Sequence, residues 1–287
     1  MLRKTGLVGI FTALAMSFAV GADTPAAAAK LSAAEIVDRN VAARGGLQVW
    51  RAVQAMSWTG KMDAGGGSIE RSRRVAEGRR MRPGKMEVAD SKDATAKGEA
   101  KQVQLPFVLE MKRPSKSRVE IEFAGKTAVQ VYDGSNGWKV RPFLNRNDVE
   151  PFTADEVKAE EGRGQLDGPL VDYAAKGTKV ELEGVEKVEG RDAYKLKLTA
   201  KNGNVQHVWI DTQSFLDVKV EGAPRRMDGK MRTVWIYQRD FRSVQGVTVP
   251  FTLETAVDGY HDTHKMVIEK IEVNPKLDDG LFAKPRV

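Results

Sequence analysis

The sequence predicts a mainly β protein of α+β class: one large, curved antiparallel sheet with short helices laid across it. Three observations predict this. Apolar and polar residues alternate with period 2 in run after run beyond residue 55. The runs are broken by short segments rich in Gly, Asn, Asp and Pro, spaced as hairpin turns are. Helical patterns are few and short, and they fall near residues 32–53 and 153–177.

In chain order, Arg3 and Lys4 precede an apolar run from Leu7 to Val20, followed by the small residues Gly21 and Ala22. That order of charge, apolar stretch and small residues makes a secretory signal peptide over 1–22. The run is shorter than the ~20 apolar residues a membrane-spanning helix needs, so the mature chain is expected to have no transmembrane segment. Removing 22 of 287 residues leaves 265, opening with a flexible leader over 23–30. Cysteine is absent, which excludes disulfides, a thiol-linked lipid anchor and a thiol nucleophile. The expected compartment lies outside the cytoplasmic membrane, the periplasm in a diderm bacterium, and such an address disfavours nucleic acid as a partner. Net charge is +7, or +5 without Arg3 and Lys4, a mild excess that reads as a solvated basic surface.

The folded part is read as a single domain over 31–287. Ser32-Ala33-Ala34-Glu35 has the form of a capping box and opens a helix carrying Ile36, Val37 and Val41, which Gly45 and Gly46 stop. A shorter amphipathic piece, Leu47 to Val53, leads into a strand from Ala55 to Met62. Gly65-Gly66-Gly67 lacks the GK[ST] sequel of a phosphate loop and reads as a tight hairpin before a strand over 68–75. Residues 77–101 are polar and of low complexity, and read as a mobile insertion. Arg71, Arg73, Arg74, Arg79 and Arg80 make the densest basic cluster, a place where anionic headgroups could be met.

From Gln102 to Phe143 four runs follow as a meander. Leu105, Phe107, Leu109 and Met111 share one parity; Ile121 and Phe123, then Val129 and Val131, then Trp138 and Val140 continue it. The breaks at Arg113-Pro114-Ser115-Lys116, Ala124-Gly125-Lys126 and Asp133 to Gly137 are turn chemistry. The expectation is that all four apolar faces lie on one side of the sheet. Thr153-Ala154-Asp155-Glu156 gives a second capping box, and residues 169–176 read as a further short helix ended by Gly177. Strands then resume near 179–187, 191–200, 205–210, 215–220, 231–239, 247–257 and 265–273. Tyr194, Leu196 and Leu198 face one way in the second of these, and Phe251 belongs to the apolar parity of the sixth. Eleven to thirteen strands in one twisted sheet curl, and three short helices cover the resulting concavity only in part. What remains is an apolar wall suited to a lipid.

Chemistry of the usual catalytic kinds finds no footing. There is no GxSxG elbow, and histidine is scarce. His261 and His264 fall at opposite parity at the start of a strand, which disfavours joint metal ligation, and His207 has no partner in sequence. Asp133 reads as a turn residue, and Glu120 and Glu122 as a solvated polar face. No catalytic residue, metal or cofactor is expected, and the chain is read as not an enzyme.

Lys112-Arg113-Pro114, Arg118, Asp133-Gly134 with Trp138, and Pro142-Phe143 resemble the strand block of the LolA-type outer-membrane lipoprotein-sorting proteins. Ala43-Arg44-Gly45-Gly46 and the tail from Asn274-Pro275-Lys276-Leu277 to Leu281-Phe282-Ala283-Lys284-Pro285 are similar to the same broad group. The resemblance implies a half-open β-barrel of about 11 strands capped by helices. It further implies a monomeric periplasmic carrier that binds the acyl chains of lipoproteins or lipids, with transfer partners at the inner and outer membranes. Those carriers hold their lid with an arginine on an early strand, to which none of Arg71, Arg73 and Arg74 aligns. The same superfamily includes envelope sensors that bind a regulatory protein, so that reading stands as the alternative.

Overall fold

The first helix, α1 (Ala33–Ala43), begins as its sequence dictates: the Ser32 hydroxyl accepts from the Glu35 N–H at 3.2 Å, and the Glu35 carboxylate accepts from the Ser32 N–H at 2.8 Å. Its stripe of Ile36, Val37, Asn40 and Val41 is buried. Gly45 and Gly46 turn the chain into α2 (Leu47–Ala52), where Trp50 is buried and its indole N–H donates to the Arg44 carbonyl at 2.9 Å. The computed structural model describes residues 31–64, 103–142, 146–163 and 166–286. The signal peptide, the leader, the strand at 68–75 and the insertion at 77–101, with Arg71, Arg73, Arg74, Arg79 and Arg80, lie outside the described residues.

Among the described residues thirteen strands form one antiparallel sheet. They are β1 (Ala55–Ala64), β2 (Val103–Lys112), β3 (Lys116–Phe123), β4 (Lys126–Tyr132), β5 (Gly137–Arg141), β6 (Arg146–Pro151), β7 (Lys179–Val188), β8 (Arg191–Thr199), β9 (Val205–Asp211), β10 (Asp217–Met227), β11 (Lys230–Val244), β12 (Val247–Val257) and β13 (His264–Val273). Their order across the sheet is β6-β5-β4-β3-β2-β1-β13-β12-β11-β10-β9-β8-β7. Two meanders are thus joined by the pairing of β1 with β13. The end strands β6 and β7 are not paired with each other, so the sheet is open, a half-open barrel in agreement with the expected fold class.

Between the two edge strands the chain runs through α3 (Ala154–Arg163), whose predicted capping box forms between Thr153 and Glu156. Residues 166–177, of which 169–176 are expected as a helix, are instead a run of turns. Asp172 sits in the left-handed region at φ 53°, where a helix cannot continue. The sequence reading also omits β6 and ends β10 and β11 too soon; β6 carries little apolar alternation, with Asn147, Asp148 and Glu150 among its six residues.

Pairing register fixes which side chains share a face, because residues directly opposite in a ladder point the same way. One face carries Met56, Trp58, Leu109, Val119, Ile271 and their partners. We call it inner, because α1 and α3 lie on it. Asn40 of α1 bonds Asp217, which is level with Ile210, and Lys139 and Ser117 bond Glu156 and Glu160 of α3. The outer face carries ladders of alternating charge, among them Lys195 with Glu183 and Glu186, and Arg118 with Glu120. The C-terminal segment crosses the outer face: Lys112 and Lys116 both bond Asp279, and Arg118 donates to the Leu281 carbonyl at 3.1 Å.

Candidate functional site

The register divides the predicted wall. Leu105, Phe107, Leu109, Met111, Ile121 and Phe123 share the inner face, and Tyr194, Leu196, Leu198 and Phe251 lie on the same face in the other meander. Val129, Val131, Trp138 and Val140 do not. Val131 pairs with Arg118 and with Trp138, and Val129 with Glu120 and with Val140, which places all four on the outer face. The reason is the turn. Ala124 and Gly125 form a two-residue hairpin with φ 50° and 73°, so Phe123 pairs with Lys126. Inner positions of β4 are therefore Ala128, Gln130 and Tyr132. Two of the four outer residues, Val129 and Val140, face the C-terminal segment and line a groove of about 600 Å³ there with Arg118, Leu281 and Pro285, among others.

The ten inner residues differ in cover. Phe107, Leu196, Leu198 and Phe251 are buried. Leu105, Leu109, Met111, Ile121, Phe123 and Tyr194 are only half-buried. Residues the sequence reading did not assign to the wall extend this half-buried apolar surface: Trp58 and Met62 on β1, Val119 on β3, Val220 on β10, Ile236 on β11, Leu253 on β12 and Met266 on β13. Met62 joins Leu105 on one side to Met266 and Leu253 on the other, so the apolar surface is continuous across the junction of the two meanders. Alternation in β1, with Met56, Trp58 and Met62 against Ser57, Lys61 and Asp63, is the signal that could have found it.

Polar links hold the elements that lie on this face. α3 rests on β5 and β3 through Lys139 to Glu156 at 2.5 Å and Ser117 to Glu160 at 3.4 Å. Burial raises the cost of charge on Glu156, but bonds from Lys139 and Thr153 outweigh it and hold this carboxyl below its ordinary value. α1 is pinned by Asn40, whose Nδ2 donates to the Phe215 carbonyl at 2.8 Å and to Asp217 at 3.0 Å. The Arg44 Nε lies 3.7 Å from the same carboxylate, and its Nη1 donates to the Asp167 carbonyl at 3.1 Å. Asp167 in turn accepts from Arg113 at 2.9 Å and Lys176 at 2.8 Å. Burial pushes the Asp217 carboxyl up, while Arg44 and Asn40 pull it down. The polar cluster joins positions more than 100 residues apart. Its one sequence signal is that Asn40 and Arg44 continue the buried stripe of Ile36, Val37 and Val41 at helical spacing.

On the outer face Trp209 and Trp235 meet edge to face at 5.5 Å, and the Lys219 ammonium lies 4.3 Å and 4.0 Å from their ring centres. His207, without a partner in sequence, sits 2.5 Å from Glu221 and 3.5 Å from Glu183. These are cross-strand pairs that brace the meander, and none reaches the inner face.

Solved structures with the same architecture exist. A LolA superfamily protein from Nitrosomonas europaea aligns at a TM-score of 0.53 and 12% identity, covering 88% of this chain and 98% of its own. The fold is shared with LolA superfamily proteins. A DUF1329 family protein from Desulfovibrio piger aligns at 0.54 and 14% identity, over 88% of this chain and 97% of its own. A domain from Vibrio parahaemolyticus, named for outer membrane lipoprotein sorting, aligns at 0.51 and 13% identity, over 87% and 95%. At such identities the likeness to LolA superfamily proteins is one of fold. A family model described as an uncharacterized protein matches residues 171–286, which hold β7–β13. No curated protein matches this chain.

Proposed function

We propose that this protein is a periplasmic carrier that holds the acyl chains of lipids or lipoproteins against the inner face of its sheet and passes them towards the outer membrane. The observation that carries the reading is the continuous half-buried apolar surface from Val119 and Leu109 through Trp58 and Met62 to Leu253 and Ile236. A face that only needed to pack would be covered as Phe107 and Leu196 are, at 2% and 0% exposure. Moving ten methylenes from water onto such a surface is worth ~8 kcal/mol, enough for micromolar holding. Release then asks for movement of α3. Its links to the sheet through Lys139 and Ser117 are polar, and Val157 is the only large apolar residue of the helix. The reading extends to Arg71, Arg73, Arg74, Arg79 and Arg80 as headgroup contacts. The apolar leader at 7–20 with Arg3 and Lys4 before it supports the compartment.

The experiment is native mass spectrometry of the protein drawn gently from envelope extracts, paired with titration of a fluorescent long-chain acyl probe. Co-purifying acylated species and saturable probe uptake are expected. No acylated species and no uptake would overturn the carrier. A stoichiometric protein partner recovered without lipid would replace it with an envelope sensor.

A further inference from the structure

Trp58 lies at the middle of the inner wall. It is level with Ile271 on β13 and Leu109 on β2, and beyond Leu109 with Val119 on β3. Its neighbours one pair along the strands are Met56 with Met111 and Gly60 with Phe107. Every side chain in this block is alkyl, thioether or phenyl, and none offers an oxygen. The indole Nε1 is shielded from solvent and has no acceptor among the described residues. An orphan donor of this kind forgoes the water it would bond in the unfolded chain, and phenylalanine would cover the same apolar surface without that loss. The buried indole of Trp50 in α2 is satisfied by the Arg44 carbonyl, so a buried indole in this protein does not have to go unpaired.

Resting on the carrier reading above, we propose that Trp58 Nε1 is a hydrogen-bond donor for the carbonyl oxygen of the cargo, and that the cargo class is an acyl chain linked through an ester or amide. The carbonyl would be seated at β1, with alkyl chain running over Leu109 and Val119 on one side or Met62 and Leu253 on the other. A plain hydrocarbon, or a chain joined through an ether, offers no carbonyl and leaves the donor as it is. The wall thereby reads the linkage as well as the length of the chain, since burial of methylenes alone cannot tell an ester from an ether.

The test compares a diacyl phosphatidylglycerol with its dialkyl ether analogue of equal chain length, titrated into the wild-type protein and the Trp58→Phe variant. Wild type is expected to prefer the ester lipid about tenfold, which is ~1.4 kcal/mol. In the variant the ratio of ester to ether affinity is expected to fall to about one, whatever the smaller phenyl ring costs both lipids in common. The indole N–H resonance of Trp58 in wild type should move with the ester lipid and not with the ether. A variant that keeps the tenfold preference overturns the proposal; should the variant bind neither lipid, a wild-type indole resonance that moves alike with both lipids overturns it. Equal binding of both lipids by wild type overturns it while leaving the carrier reading standing, whereas binding of neither fails the carrier reading itself.

Discussion

Replacing Gly45 by alanine should destabilise the protein severely, and replacing its neighbour Gly46 should not. Both have positive φ, 110° and 93°, so each alanine carries backbone strain of ~1–3 kcal/mol. They differ in what a methyl would meet. At Gly46 nothing lies within 4 Å; at Gly45 the new Cβ would fall 2.1 Å from the Gly246 carbonyl oxygen and 3.2 Å from the Val247 Cα. Those atoms belong to the backbone of the β11–β12 hairpin, which cannot rotate away as a side chain could. The α1–α2 corner is also tied there by the Thr248 N–H, which donates to the Arg44 carbonyl at 2.9 Å. Relieving the clash lengthens that bond and lifts Arg44 from Asp217 and Asp167, adding ~2–3 kcal/mol for a disturbed buried network. We expect ~4–5 kcal/mol for Gly45→Ala and ~1–2 kcal/mol for Gly46→Ala, or falls in Tm of roughly 10–15 °C and 3–6 °C for a domain of this size. Thermal melts followed by circular dichroism measure both. Equal losses in the two variants would mean that the corner does not seat closely on the hairpin.

Further expectations follow from the faces and the polar links. Leu109→Asp should lower acyl-probe affinity at least tenfold at little cost in stability, whereas Trp138→Asp, on the outer face, should leave probe binding unchanged; a loss in both would refute the face assignment. Phe107→Ala, at 2% exposure, should cost ~3–5 kcal/mol in a denaturant titration, and less than 1 kcal/mol would place its ring outside the core. Asp167→Ala takes the carboxylate from Arg113 and Lys176 and leaves them only backbone carbonyls, and a loss of ~3 kcal/mol is expected; stability within error of wild type would show that those carbonyls suffice. Because the Glu156 carboxyl is held below its ordinary value, its contribution is present above about pH 4.5 and fades as pH falls through the lowered value. Protection of the α3 amides, corrected for the intrinsic exchange rate at each pH, should therefore fall in acid in the wild type, and Lys139→Met should flatten that response.

Most of the sheet was legible, because β strands with one covered face write their period into the chain. Val247, Val249, Phe251 and Leu253 could be assigned to one face from alternation alone, and the register agrees. What alternation does not carry is the face from one strand to the next. Parity gave Ile121 and Phe123 a side and gave Val129 and Val131 a side, but the length of the Ala124-Gly125 turn decides whether those sides match. Counting pairs outward from that turn would have sent Val129 and Val131 outward from sequence. The union of Asn40, Arg44, Asp217, Asp167 and Arg113 was not legible, since nothing local marks a partner more than 50 residues away. The turns at 166–177 were misread because Leu170, Val171 and Tyr173 have a helix-like spacing, while the left-handed Asp172 is set by its bidentate bond to Arg51.

The pairing of β1 with β13 has a consequence for how the chain assembles. Strands β2–β6 and β7–β12 are each ladders of sequence neighbours, which can zip as soon as each hairpin exists. The two ladders share a seam only where β13 enters beside β1, and closing it spans about 200 residues of chain. Synthesis runs from the N-terminus, so β13 is the last of the thirteen strands to emerge, and until it does the inner surfaces of the two ladders stay apart. The half-covered apolar stripe across Met62 and Met266 therefore comes into being in one late step, after which the protein has a continuous surface where before it had two unfinished edges.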